Sequence, residues 1–464
     1  MGGEMKRSLL SFFACALFVV SLATAANAET FFASLSPAQE VPPTLSSASG
    51  YARIHVNEST LTLTYTIVFT NLSSAQTGAH IHAPAAIGAN ASVAVAFDTV
   101  GGTSGTITGT RTITAAQLTQ IRQHLGYVNV HSMNNPGGEI RGQLGIKRPV
   151  DFDGDGRQDI SVLNFPSVAP PGVAQIEYWN LNTTAGIQIA SWGDANRDFP
   201  VPGDYDGDGR DDLALYRAGA SPGDFSAFYI FRSGTNTAQI VSYGLNGDQA
   251  HCRDYDGDGT TDMAIFRRGA APGLPAFWWI RQSSTGGTDR VDQFGTTGAL
   301  NGSTGDTPVS GDYDGDGKFD LAVYRFGGIA PNNSYIIKRS SDGTVEFKQF
   351  GNFTSDYILP GDYDGDGKYD LAVARTGSLT TSPLVWWVQF SSTNQIRIQT
   401  WGISSDLPVQ GDYDGDARTD MAIFRRGAAG QQSTFWVLGS FANEVLLRRW
   451  GTSTSFPVAT FDAR

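Results

Sequence analysis

Cysteine is nearly missing: the 464 residues hold only Cys15 and Cys252. Cys15 lies inside an apolar run and not after a small-residue lipobox at its end, which argues against lipidation. Cys252 then stands alone in the rest of the chain and cannot form an internal disulfide, so rigidity has to come from another source. Histidine is scarce too, with six in all and a single one, His251, beyond residue 146. No nucleophile motif of the G-x-S-x-G kind is read, and the expectation is a protein that is not an enzyme. Charged residues make up 17 % of the chain, with 32 bases against 45 acids. That leaves no Lys/Arg stripe for nucleic acid. Beyond the N-terminus no stretch approaches the roughly 20 apolar residues of a membrane helix, so no membrane insertion is expected.

The N-terminus itself reads MGGEMKRSLLSFFACALFVVSLATAANA over residues 1–28. Two bases, an apolar run and a small-residue Ala-Asn-Ala end make the pattern of a cleavable signal peptide. The mature chain is expected to begin at Glu29 and to be secreted, at the cell surface or periplasmic.

What is abundant is aspartate, and it is concentrated. Six nine-residue loops carry Asp at positions 1, 3, 5 and 9. The first three hold Asp151, Asp153, Asp155, Asp159; Asp204, Asp206, Asp208, Asp212; and Asp254, Asp256, Asp258, Asp262. The last three hold Asp312, Asp314, Asp316, Asp320; Asp362, Asp364, Asp366, Asp370; and Asp412, Asp414, Asp416, Asp420. These 24 account for more than half of the 45 acidic residues, and six divalent ions would nearly cancel the net charge of −13. Carboxylates packed this closely repel by about 1–4 kcal/mol per pair at about 4 Å. A hard cation removes that repulsion, and Ca²⁺ takes about 6–8 oxygen ligands of this type. Glycine at position 6 allows the left-handed turn that wraps a loop round an ion; in the sixth copy Ala417 stands there and has to adopt φ > 0. An EF-hand is excluded, because position 12 is Val162, Leu215, Ile265, Val323, Val373 or Ile423 instead of a bidentate Glu. Those residues sit in apolar runs such as DLALYR, which read as buried strands. The alternative is a solvated Asp-Gly hairpin turn without metal.

The loops start 53, 50, 58, 50 and 50 residues apart, and FPVATFD at 456–462 returns to the same phase. Each unit reads as four strands and closes on an aromatic-glycine pair, from Trp192-Gly193 to Trp450-Gly451. A period near 50 of this kind fits the blades of a β-propeller, in which stacking buries both faces of each sheet. The PVxGDYDGDGxxDLAVYR pattern over residues 149–464 resembles the FG-GAP (VCBS-type) repeats of integrin-like β-propellers. The resemblance implies Ca²⁺ on the four Asp of each copy; the repeat count gives about six four-stranded blades with FPVATFD closing the ring, against the seven of integrin propellers. Trp179, Trp278, Trp279, Trp386, Trp387 and Trp436 read as inter-blade packing, the alternative being sugar-stacking pockets. Arg217, Arg267, Arg325, Arg375 and Arg425 recur in five units and read as a shared contact with a carboxylate or an aromatic face, the alternative being a ligand-facing ring.

Residues 29–146 lack this period and alternate in short stretches such as TLTLTYTIVFT at 60–70, which predicts a compact β-sandwich. FFASLSPAQEVPP at 31–43, GAHIHAPA at 78–85 and YVNVHSMNNPGGEIRGQL at 127–144 resemble the CHRD domain, named from chordin, and imply an extracellular module. His80 and His82 share one face of a strand, and with His131 and Glu139 they are a candidate Zn²⁺ or Cu²⁺ site. A hydrogen-bonded structural cluster is the alternative.

The expected whole is all-β: a leader at 1–28, a CHRD sandwich at 29–146, a short linker at about 145–148 and a propeller over 147–464. Its expected function is that of a secreted, calcium-binding adhesion scaffold whose rim loops meet an extracellular protein or glycan. A lectin, an enzyme acting on polysaccharide, or metal-dependent chemistry at the histidines are the rivals.

Overall fold

The computed structural model describes residues 28–57, 59–85, 89–122, 125–145, 150–154, 157–165, 175–183, 185–298, 305–327, 333–351, 356–440 and 443–459. The expected leader up to residue 27, most of the expected linker and Asp155 lie outside the described residues.

The N-terminal region forms β1 (Ala28–Leu35), β2 (Ser49–Asn57), β3 (Thr62–Thr70), β4 (Gln76–His82), β5 (Val93–Ala96), β6 (Gly105–Thr112), α1 (Ala115–Arg122), β7 (Tyr127–Ser132) and β8 (Ile140–Gln143). In β2 and β3 every second residue is buried, because successive side chains of a strand point to opposite faces. Two antiparallel sheets result, ordered β1-β2-β3-β6 and β5-β4-β7-β8. Ile54, Tyr65 and Ile67 of the first share one core with Ala79, Ile81, Val128 and Val130 of the second, so the sheets pack face to face. Each such side chain contributes roughly 1.5–3 kcal/mol, enough for a domain of this size to do without a disulfide.

From residue 160 the chain makes six further four-stranded antiparallel sheets. The second shows the pattern: Asp198–Pro200, Leu213–Arg217, Phe225–Arg232 and Thr237–Leu245 pair in sequence order. The third to sixth repeat it, beginning at Gln249, Asp306, Asp356 and Leu407. The first sheet takes only three strands from its own stretch. Its fourth is Phe456–Pro457 from the far end of the chain, set against Leu163 and Val162. Burial falls outward across each sheet. The LALYR strand is buried at four of five positions, whereas the last strand is exposed at alternate positions.

The sheets are joined in a cycle. The backbone N–H at loop position 8 donates to the carbonyl of the position-1 Asp in the preceding copy: Asp211 to Asp151, Thr261 to Asp204, Phe319 to Asp254, Tyr369 to Asp312 and Thr419 to Asp362, at 2.6–2.9 Å. Gln158 of the first loop donates to Asp412 of the last at 2.7 Å and closes the circle. The six position-8 side chains meet round a cavity of about 120 Å³. This contact explains the glycine before most loops. A Cβ on Gly311 would lie 2.2 Å from the Tyr369 ring, and one on Gly361 2.6 Å from Thr419. Apolar cores are shared round the same cycle: Val162 with Leu215 and Phe424, Ala214 with Ile265, Phe266 with Val323, Ala322 with Val373, and Ala372 with Ile423.

Candidate functional site

Each acidic loop folds back on its first carboxylate. Asp204 accepts from the N–H of Gly207 at 2.6 Å, Asp208 at 3.2 Å and Gly209 at 3.0 Å, so the chain curls round that side chain. Asp212 at position 9 accepts from Tyr205 N–H at 2.9 Å and ties the loop's end to its start. The copies at 254, 312, 362 and 412 repeat these bonds. Position 6 has positive φ wherever it is described: Gly209 at 91°, Gly259 at 85°, Gly317 at 84°, Gly367 at 86° and Ala417 at 66°. The sixth loop thus keeps the shape of the others despite its alanine. A left-handed alanine costs roughly 1–2 kcal/mol, and glycine returns part of the gain as chain entropy. Ala417→Gly is therefore expected to stabilise the C-terminal region by about 1 kcal/mol, read as a raised denaturant midpoint; a lowered midpoint would refute the strain argument.

The carboxylates converge. Oxygens of Asp151, Asp153 and Asp159, of Asp204, Asp206 and Asp212, of Asp254, Asp256 and Asp262, and of Asp312, Asp314 and Asp316 lie within 4.8 Å of one another. Position 9 is the most deeply set, with Asp159, Asp212, Asp262, Asp320, Asp370 and Asp420 all at most 1 % exposed. Burial, aided by the neighbouring carboxylates, pushes Asp212 and Asp262 up to about 7 and Asp320 to about 6. Backbone N–H groups supply part of the compensation at position 9, and in the second loop Arg210 pairs with Asp208 at position 5 at 2.6 Å. A cluster of buried, mutually repelling carboxylate oxygens that resists ionising fits a hard divalent cation. Asp155 lies outside the described residues.

A second partner of these loops escapes a reading of the loops alone. The turn between the third and fourth strands carries Ser233, Ser283, Ser340, Ser391 or Ser440, whose N–H donates to the position-9 Asp at 2.6–2.7 Å. The same hydroxyls donate to the position-5 Asp at 2.7–2.9 Å. The recurrence of serine 20 or 21 residues after position 9 was the available signal.

The recurrent arginines bind carboxylates at the opposite end of each sheet. Arg217, Arg267, Arg325, Arg375 and Arg425 grip Asp198, Asp248, Asp306, Asp356 and Asp406 through two bonds each, at 2.6–2.9 Å. Arg217 also lies 4.3 Å from the centre of the Tyr229 ring, and Arg267, Arg375 and Arg425 lie 5.2–5.6 Å from those of Trp279, Trp387 and Trp436. These three tryptophan faces are thereby covered. Trp278 and Trp386 are fully buried and donate to backbone carbonyls. In the closing sheet the pair is neutral: Asn164 replaces the arginine and Ser455, which donates to it, replaces the aspartate.

In the N-terminal domain His80, His82 and His131 come together, with one ligand-capable nitrogen from each within 4.8 Å of the others. Glu139 does not join them. It is fully buried and accepts from Ser46 Oγ at 2.6 Å, Ser73 N–H at 2.6 Å and Ser73 Oγ at 3.0 Å, and from Ser132. Ser132 follows His131 in β7 and so points to the opposite face of the sheet. His251 is half-buried, accepts from Ser310 N–H at 3.2 Å and packs edge-on to Trp278. The letters G-x-S-x-G do occur once, at 219–223. They form an exposed turn between two strands of one sheet, with no helix after it, so this is not a nucleophile elbow.

No helix among the described residues is long and apolar enough to cross a membrane. No curated protein matches the chain. Family models do: residues 31–144 match the CHRD domain and residues 254–323 the FG-GAP-like repeat. Both modules are typical of extracellular binding and adhesion-type scaffolds and are typically non-catalytic. The chain thus carries a CHRD domain followed by an FG-GAP-like repeat.

Proposed function

We propose that this is an extracellular, calcium-stabilised binding scaffold in which the six C-terminal sheets are the blades of a six-bladed β-propeller. The cyclic hydrogen bonding of the acidic loops, from Asp211 to Asp151 round to Gln158 and Asp412, carries this reading. It makes the acidic loops the joints between blades, so a cation that orders one loop also orders its neighbour. Position 1, 3, 5 and 9 carboxylates would hold the ion in each loop, and Ca²⁺ there supplies the missing positive charge.

Five of the six blades are then fixed at both ends, by the loop and its serine turn on one face and by the Arg–Asp pair on the other, and the closing blade has the Asn164–Ser455 pair in place of the latter. Gln39 of the N-terminal domain donates to the carbonyl of Gly365 in the fifth loop, which sets the CHRD domain against the acidic-loop face. The opposite face carries the small-residue loops at 218–224, 268–274 and 426–431, whose residues are mostly exposed. Rigidly based loops of this kind are where recognition residues usually lie. An extracellular protein or glycan is the partner class proposed for them.

Two measurements test the reading. Elemental analysis of the full chain equilibrated in millimolar calcium is expected to give about six Ca per chain; none would overturn it. Glycan-array and matrix-protein binding is expected to be lost in EDTA and reduced by substitutions at 218–224 or 268–274. Binding that ignores both changes would place recognition elsewhere.

A further inference from the structure

The histidines of the CHRD domain are arranged for something the acidic loops cannot bind. Ala79 and Ile81 of β4 are fully buried in the sandwich core, which turns His80 and His82 to the outer face. His131 of β7 lies opposite Gly78 on that face. A Cβ on Gly78 would lie 3.3 Å from His80 Cε1 and 3.7 Å from His131 Cδ2, so the missing side chain leaves room between the rings.

Their hydrogen bonds fix which nitrogens carry protons. His82 Nδ1 lies 2.9 Å from the Ala91 carbonyl and His131 Nδ1 lies 3.0 Å from that of Pro136. A carbonyl only accepts, so both Nδ1 atoms bear hydrogen and both Nε2 atoms of the neutral rings present lone pairs. A backbone carbonyl holding one ring nitrogen while the other faces outward is the usual setting of a metal-binding histidine. The His82 ring is also held in place from behind. It stacks on Tyr127 at 4.9 Å with 4° between planes, and the Arg141 guanidinium covers Tyr127 at 3.4 Å.

A purely structural role accounts for only part of this. His80 Nδ1 lies 3.0 Å from His131 Nε2, which makes a satisfied pair. His82 Nε2 is left over: the residue is 9 % exposed and this nitrogen has no hydrogen-bond partner. Polar atoms buried so deeply are normally paired.

We propose that Nε2 of His82, Nε2 of His131 and a ring nitrogen of His80 bind one imidazole-preferring divalent transition ion, Cu²⁺ or Zn²⁺. Imidazole suits these ions, while carboxylate clusters suit calcium, so the two kinds of site do not compete. Among the described residues the group has three protein donors. An ion held there keeps a coordination position open to water or to a ligand oxygen.

The test uses the full chain in excess calcium, so that the acidic loops are filled. Titration with Zn²⁺ by calorimetry is expected to show one equivalent, weakened at least tenfold in His82→Asn and in His131→Gln. The electron paramagnetic resonance spectrum of the unmutated chain with one equivalent of Cu²⁺ is expected to show nitrogen hyperfine structure from at least two imidazoles. That measurement needs no variant, so it stands even if a substitution unfolds the domain. Absence of saturable binding, binding unchanged in both variants while they remain folded, or a copper spectrum with oxygen ligands only would overturn the site.

Discussion

In EDTA at pH 7.5 the C-terminal region is expected to melt far below its temperature in millimolar calcium. A ligand at about one to ten times its dissociation constant stabilises the form it binds by about 0.4–1.4 kcal/mol per site. Extracellular sites of this class have dissociation constants on the order of 0.1–1 mM. Six such loops together contribute about 2–8 kcal/mol in millimolar calcium, a large part of the roughly 5–15 kcal/mol of an ordinary domain, so the ion-free region is expected to be strongly destabilised. The pH dependence has a definite sign. Without metal, Asp212 and Asp262 titrate near 7 and Asp320 near 6 in the fold, against about 4 when unfolded. The ion-free fold holds extra protons between those values, so its stability falls as pH rises from about 4 through 7. In EDTA the melting temperature should therefore be higher at pH 5 than at pH 7.5. In calcium the order reverses, because protons displace the ion. Scanning calorimetry at the two pH values, with and without calcium, reads all four states, and equal melting in calcium and EDTA would refute the scaffold.

Arg217→Asn is expected to destabilise the region by about 3 kcal/mol, because it leaves a buried carboxylate without its counter-charge. Asp198 has a side chain with no exposure and receives two bonds from Arg217 at 2.6 and 2.7 Å. The chain already contains the neutral solution, since Asn164 and Ser455 occupy the equivalent places in the closing sheet. Adding Asp198→Ser to Arg217→Asn should thus recover most of the loss. Urea unfolding of the two single variants and the double variant forms a complete cycle. Additive losses would mean that the pair is only two independent surface charges.

The acidic loops and their period were fully legible, because each is a local device: nine consecutive residues fix their own turn. The glycine at position 6 could be read from chain geometry alone, and Ala417 duly takes φ of 66°. The partner of the recurrent arginine was not legible. Arg217 meets Asp198 only because the first two strands run antiparallel in a register that sets those residues opposite each other. The serine turns failed to stand out for the same reason: they reach the loops across a sheet.

The N-terminal histidines show where local reasoning stops. Strand alternation puts His80 and His82 together on one face, and that follows from spacing. It says nothing about Glu139, which lies near His131 in sequence but bonds Ser132 on the other side of β7. Sequence by itself determined the all-β character, the two kinds of module and the six loops, since these depend on periodicity and turn chemistry within short segments. The return of FPVATFD to the repeat's phase also pointed to a closing strand, as the pairing of Phe456 and Pro457 shows, whereas tertiary structure alone decided that loop six bonds loop one and which charges meet. Those contacts link residues up to about 290 positions apart, and only the folded path of the chain brings them within reach of a hydrogen bond.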